Sequence, residues 1–223
     1  MAAFAVTTRT LPTRIEGLAV GIERLEELCP SGVVLEATST QPLPDVAAAM
    51  EASGRPVLAV IGGLFGVADA DPFAPLDAED GRRAISGLRA TVPGCARLSC
   101  ERLVVPISSA PDAELPREQL ADRLCRRLHG LVSAEPGLQY LLLASTESGS
   151  RFDPEVAGWV MDDLSHANVG VALDQLSVAG HEPWFATLGS RVGLVLLGAG
   201  LAARSLSASC GDRVPWAIRG PST

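Results

Sequence analysis

Seven apolar segments of strand length, alternating with amphipathic helices, predict an α/β fold in which helices wrap a parallel sheet. Two further observations sharpen this. VVLEA, VLAVI, LVVPI, YLLLA, VGVAL and VGLVLL are apolar at nearly every position, as strands buried on both faces are. Polar residues gather just past their C-terminal ends, where a (β/α) barrel keeps its site. A doubly wound open sheet would alternate in the same way, but its GxGxxG loop after the first strand is absent.

The elements follow in order. Ala3–Thr8 is a short apolar run that gives way to Thr8, Arg9 and Thr10. Arg14–Leu28 places Ile15, Leu18, Ile22, Leu25 and Leu28 at helical spacing. Gly32–Ala37 is the second strand, Pro44–Ala52 a helix stopped at Gly54, and Pro56–Ile61 the third strand. Residues 64–77 form a long loop holding Phe65 and Phe73, which reads as a lid over the site or as a packed surface loop. Ala78–Ala96 is a helix that Pro93 should break or bend. Glu101–Ile107 is the fourth strand, Pro116–Ala134 an amphipathic helix, and Leu138–Ala144 the fifth strand, ending in Ser145, Thr146 and Glu147. Asp153–Ser165 is a helix with Asp153 as N-cap and Pro154 in its first turn. Val169–Leu173 is the sixth strand, ending at Asp174, and Val192–Leu197 the seventh. Leu201–Thr223 holds only Leu201–Leu206 and VPWAI at 214–218 as apolar pieces. The expectation is a TIM-barrel-like parallel barrel over residues 1–200, incomplete or shortened at the C-terminus. A tail, 201–223, replaces the last βα unit.

Composition bounds the chemistry. A chain of 223 residues suffices for one domain with a substantial core. No signal peptide or membrane-length apolar stretch is present, so a cytoplasmic protein is expected. Net charge is −8, and all 18 basic residues are arginine, which argues against nucleic-acid binding. The absence of lysine excludes Schiff-base mechanisms, pyridoxal phosphate chemistry included. Five cysteines without a CxxC pair read as buried thiols in a reducing compartment.

Several ordered pieces carry a resemblance. They are GVVLEA with Glu36, then Asp153, Pro154 and Glu155 opening a helix. Next come His166, Asn168, Val169, Gly170, Val171 and Asp174, and last Gly189, Arg191, Val192, Val195 and Leu197. Together they resemble the xylose-isomerase-like TIM barrels, the sugar-phosphate isomerase/epimerase and endonuclease IV superfamily. The resemblance implies a divalent metal held by a Glu after the fifth strand, an Asp after the sixth, a His near the seventh and a Glu after the eighth. Asp174 matches the Asp, and only Glu147 lies near the first position. Ser177 stands where a further histidine is expected. Leu196 and Ala199 stand for the seventh-strand His and the Asp after it, and the eighth strand is missing. One carboxylate cannot supply the ligand set of Mn, Mg or Zn, so a metal requires a site rearranged around Asp174.

Each candidate carries two readings. Asp174 is a catalytic or ligand carboxylate, or a structural one bonding loop amides. Glu36, costly on an apolar strand, pairs with an arginine such as Arg9 or serves as an acid/base. Glu147 faces the mouth or solvent. Arg9, Ser145, Ser177 and His181 are candidate substrate-binding residues, although His181 reads first as a surface-loop histidine. His129 and His166 read as helix C-terminal residues.

Three functions follow. The first is a sugar-isomerase/epimerase-like enzyme that moves protons on a small hydroxy-carbonyl metabolite through Asp174, Glu36 and Glu147. The second is a non-catalytic barrel that binds a metabolite, or a homo- or hetero-oligomeric partner covering the open edge beside the seventh strand. The third, an abasic-site endonuclease, is opposed by the charge and by a count of three histidines.

Overall fold

The computed structural model describes residues 4–7, 32–36, 43–62, 79–107, 115–145, 152–165, 168–175, 181–198 and 214–219. Its strands are β1 Phe4–Thr7, β2 Val33–Glu36, β3 Val57–Ile61, β4 Arg102–Pro106, β5 Gln139–Ser145, β6 Val169–Gln175, β7 Val192–Gly198 and β8 Trp216–Arg219. Its helices are α1 Leu43–Ser53, α2 Glu79–Arg97, α3 Arg117–Val132, α4 Pro154–Asp163 and α5 Glu182–Leu188, with one 3-10 turn at Gly189–Arg191. The expected helix at Arg14–Leu28, the 64–77 loop and the piece Leu201–Leu206 lie outside the described residues.

All neighbouring strands pair in parallel, and the order runs from β1 to β8 and back to β1 as a closed barrel. The TIM-barrel-like fold is therefore as the sequence predicts. The missing eighth strand is corrected: Trp216–Arg219, inside the expected tail, pairs with β7 on one side and β1 on the other. No edge is left open beside β7, so the argument for a partner covering that edge falls. The last unit is nonetheless abbreviated. β8 has four residues, and among the described residues no helix follows β7.

Strand alternation sorts the core into two layers. Val34, Ala59, Ile61, Val104, Leu141, Leu143, Ala172, Leu194, Leu196 and Ala217 fill the barrel. Their sequence neighbours, among them Val33, Val60, Leu103, Val105, Leu142, Val171, Leu173 and Val195, pack outward against the helices. α3 answers with Leu120, Leu124, Leu128 and Leu131 on one face.

The lower interior is filled by leaving side chains out. A Cβ at Gly170 would sit 2.6 Å from the Arg191 carbonyl oxygen and 3.2 Å from Leu141 Cδ2. One at Gly193 would meet Leu141 Cδ2 at 2.6 Å. Leu141 thus occupies room that two glycines release. Gly193 is also the extra residue where the β6–β7 register jumps from Val171↔Val192 to Ala172↔Leu194. A second irregularity, between Val33 and Val34 on β2, falls opposite Leu58, whose carbonyl accepts from Arg102 Nη1 at 3.4 Å.

Three helix ends explain themselves locally. Asp153 caps α4 as expected, its Oδ1 accepting from Glu155 N and Val156 N at 3.0 Å each, with Pro154 in the first turn. Arg117, at the start of α3, pairs with Asp153 and, at 2.9 Å, with Glu155, and lies 5.6 Å from the Trp159 ring centre. Pro93 does not end α2, which runs on to Arg97. Proline removes one helical hydrogen bond, and this one lies on an exposed part of the helix, where water can satisfy the freed carbonyl. α2 stops instead at Ser99, whose φ is +51°. There Ser99 N donates to Ala96 O and Cys100 N to Cys95 O, the paired closure that normally uses glycine.

Two stability changes follow. Ser99→Gly should stabilise the protein by about 1 kcal/mol, because the serine holds a left-handed conformation that glycine adopts freely. Gly170→Ala should destabilise it by about 1–3 kcal/mol through overpacking against backbone. Urea unfolding midpoints with an unchanged slope test both. A destabilised Ser99→Gly or a neutral Gly170→Ala would contradict this account.

Candidate functional site

The C-terminal ends of the strands define the mouth. Two residues beyond an interior side chain, alternation returns to the interior face. Val34, Leu143, Ala172, Leu196 and Ala217 all fill the barrel. Positions 36, 145, 174, 198 and 219 are therefore the next interior positions up, held by Glu36, Ser145, Asp174, Gly198 and Arg219. Register links them: Ser145 pairs with Asp174, Asp174 with Leu196, and Gly198 with Arg219.

The sequence-derived candidates distribute as follows. Asp174 lies within β6, which continues through Gln175, and is half-buried. Glu36 ends β2, in register with Ile61. In a closed ring of eight, β2 and β6 are four strands apart, so the two acidic positions are opposite each other. Ser145 ends β5 beside Asp174. Glu147, Arg9, Ser177, Ala199 and His166 lie outside the described residues. His129 is exposed in the last turn of α3, as read from the sequence.

His181 is a correction. It is not a surface residue: only 3% of it is exposed. It opens α5, its carbonyl accepting from Trp184 N at 3.0 Å and Phe185 N at 3.2 Å. Its ring stands edge-on to Phe185, 6.0 Å between centres, and Trp184 in turn packs 6.1 Å from Phe152. Phe185, on the short helix that His181 opens, is a ring packed against it.

Arg219 ends the strand that sequence reasoning missed. A signal existed: VPWAI followed by Arg219 passes from an apolar run to a polar residue, as YLLLA before Ser145 and VGVAL before Asp174 do. β8 lies two strands from β6 and two from β2, midway between the acidic positions.

The described strand ends carry few donors for a divalent metal. β5, β6, β7 and β8 finish with Ser145, Asp174 and Gln175, Leu197 and Gly198, and Arg219. That set offers one carboxylate and a guanidinium that cannot ligate, whereas such ions want several oxygen or imidazole donors. Among the described residues no group of three or more His, Cys, Asp or Glu is placed to hold a metal. Also among them, no helix is long and apolar enough to cross a membrane.

No protein-family profile matches the chain, and no curated protein matches it in sequence. Solved structures do. The fold is similar to that of the apo 3-keto-D-glucoside 4-epimerase YcjR from E. coli, with a TM-score of 0.73 and 12% identity over 100% of this chain and 92% of that one. A family 2 AP endonuclease from Brucella melitensis gives 0.71 and 14%, over 98% and 92%. The IolI protein, crystallised with a zinc atom, gives 0.67 and 11%, over 98% and 88%. At these identities the likeness establishes the TIM-barrel fold. It also places metal-binding proteins among the neighbours.

The described thiols stand away from the mouth. Cys95, Cys100 and Cys125 are buried in the layer between sheet and helices. Burial pushes Cys95 and Cys125 up to about 12 and raises Cys100 as well. Thiolate is the reactive form, so these three should resist iodoacetamide at pH 8 in the folded protein and react only on unfolding. Rapid native labelling, located by peptide mass, would contradict the placement.

Proposed function

We propose that the chain is a sugar-epimerase-like barrel that acts on a small hydroxy-carbonyl or sugar-like metabolite by proton transfer, without a metal centre. The observation that supports this most strongly is the opposition of Glu36 on β2 and Asp174 on β6 across the mouth. Strand spacing and barrel tilt put the backbones of opposite strands roughly 15 Å apart, a gap that suits a monosaccharide between side chains.

Two acidic positions on opposite strands suit epimerisation. One takes the proton from the carbon beside the carbonyl, and that C–H pair becomes the new C=C bond. The carbonyl π pair moves to oxygen and leaves an enediolate. The opposite carboxylate, protonated, then returns a proton to the other face, and the carbonyl re-forms with the centre inverted. Glu147 is the alternative partner to Asp174, and Arg9, Ser145, Ser177 and His181 are the groups proposed to orient the substrate.

A second reading, a non-catalytic barrel that binds a metabolite or a protein, draws support from the poor donor set on β5, β7 and β8. The endonuclease reading gains nothing from a net charge of −8.

Incubation of the protein with a panel of ketohexoses and small hydroxyketones in D2O, followed by NMR, tests the first reading. It predicts deuterium at an inverted centre, slowed about 10²-fold or more in Asp174→Asn and in Glu36→Gln. Exchange on no compound, with binding retained, would favour the second reading.

A further inference from the structure

We infer that Arg102 and Gln139, paired at the N-terminal end of the barrel, form a second binding site, one that takes a small oxyanion, either a carboxylate or a phosphate. The site lies at the opposite end of the barrel from the mouth and does not depend on the epimerase reading.

The two residues are direct register partners on β4 and β5, and each opens its strand. Arg102 precedes Val104, and Gln139 precedes Leu141, by one interior step, so alternation turns both toward the barrel axis. Arg102 Nε donates to Gln139 Oε1 at 3.1 Å, and Nη1 donates to Leu58 O on β3 at 3.4 Å. Gln139 reaches inward: its Nε2 lies 3.4 Å from where a Cβ on Gly193 of β7 would stand. Leu141 and Leu143 fill the interior above the pair. A strand rises about 3.3 Å per residue, so position 145, beside Asp174, is roughly 20 Å higher along β5.

The chemistry follows from counting donors. Arg97, Arg117, Arg126 and Arg191 each meet a carboxylate. Arg102 is half-buried and, among the described residues, meets only the neutral oxygens of Gln139 and Leu58. Its charge is therefore uncompensated in a place where charge is less screened than in water. A guanidinium carries five N–H donors, and these two bonds use one on Nε and one on Nη1. Gln139 gives its oxygen to Arg102, which leaves its amide N–H pair to donate elsewhere. The pair thus offers Nη2 of a permanent cation and Nε2 of a carboxamide side by side on neighbouring strands. Two donors on strands about 4.8 Å apart suit the two adjacent oxygens of one carboxylate or phosphate. A metal cation is repelled by the guanidinium, and a neutral ligand would leave its charge unmet.

Side-chain NMR of isotope-labelled protein reads the site directly, through the Nε–H of Arg102 and the Nε2 amide of Gln139. Each signal is assigned from the variant that removes it, Arg102→Met or Gln139→Glu. Malonate and inorganic phosphate are titrated at constant ionic strength, with chloride as the control. At least one of the two should move both signals saturably, with a Kd of about 1 mM or below. Whichever binds more tightly names the source of the oxyanion. Arg102→Met, folded by circular dichroism, should weaken binding about 10-fold or more, as loss of a charged hydrogen bond does. Gln139→Glu places a carboxylate on the register partner, where it meets the guanidinium within the chain. It should abolish the response of the Arg102 signal to either anion, and it carries the test if Arg102→Met does not fold. Equal movement with chloride, movement that never saturates, or full binding in Gln139→Glu overturns the proposal and leaves the pair as a plug in the barrel floor.

Discussion

Backbone hydrogen bonding from β8 to both β7 and β1 is the constraint on which the rest of the molecule depends. A parallel sheet presents unpaired amide and carbonyl groups at each edge unless it closes. Four residues perform that closure here. Once they are in place, β2 and β6 are fixed on opposite sides, β8 falls between them, and every interior position is committed to core or mouth. The glycines at 170 and 193 serve the same end from below, because closure at this radius leaves room for Leu141 only where side chains are absent.

Strands β2 to β7 were legible in the sequence for one physical reason. A strand packed on both faces is apolar at nearly every position, and such runs stand out between polar helical faces. β8 was not legible because Trp216–Arg219 is too short for any period and reads as a scrap of tail. Its strand character comes from β7 and β1, which lie far away in the chain. α2 shows the same override: proline predicts a break at Pro93, yet the packed face carrying Leu88 and Cys95 keeps the helix going on both sides of it.

The site was half legible. Asp174 could be placed at a strand end from its neighbours alone, and Glu36 likewise. That they oppose each other could not, since opposition is a property of closure and of strand number. His181 was misread because the residues that bury it, on α5, count only once the short helix has folded back on the barrel. Arg219 was overlooked with the strand that carries it. The strand ends that emerge set two acidic positions across from each other. Nothing in the linear order of the chain suggests that arrangement.

The pairing of Phe4 with Trp216 sets an order on biosynthesis. The first strand to leave the ribosome has its partner on one flank early, in β2, but waits for the eighth strand to cover the other. Until then β1 and β7 are both exposed edges, and contacts so distant in sequence form slowly. A nascent or truncated chain that stops short of residue 214 therefore carries two adhesive margins, which makes it a natural substrate for chaperones and a prospective seed for aggregation.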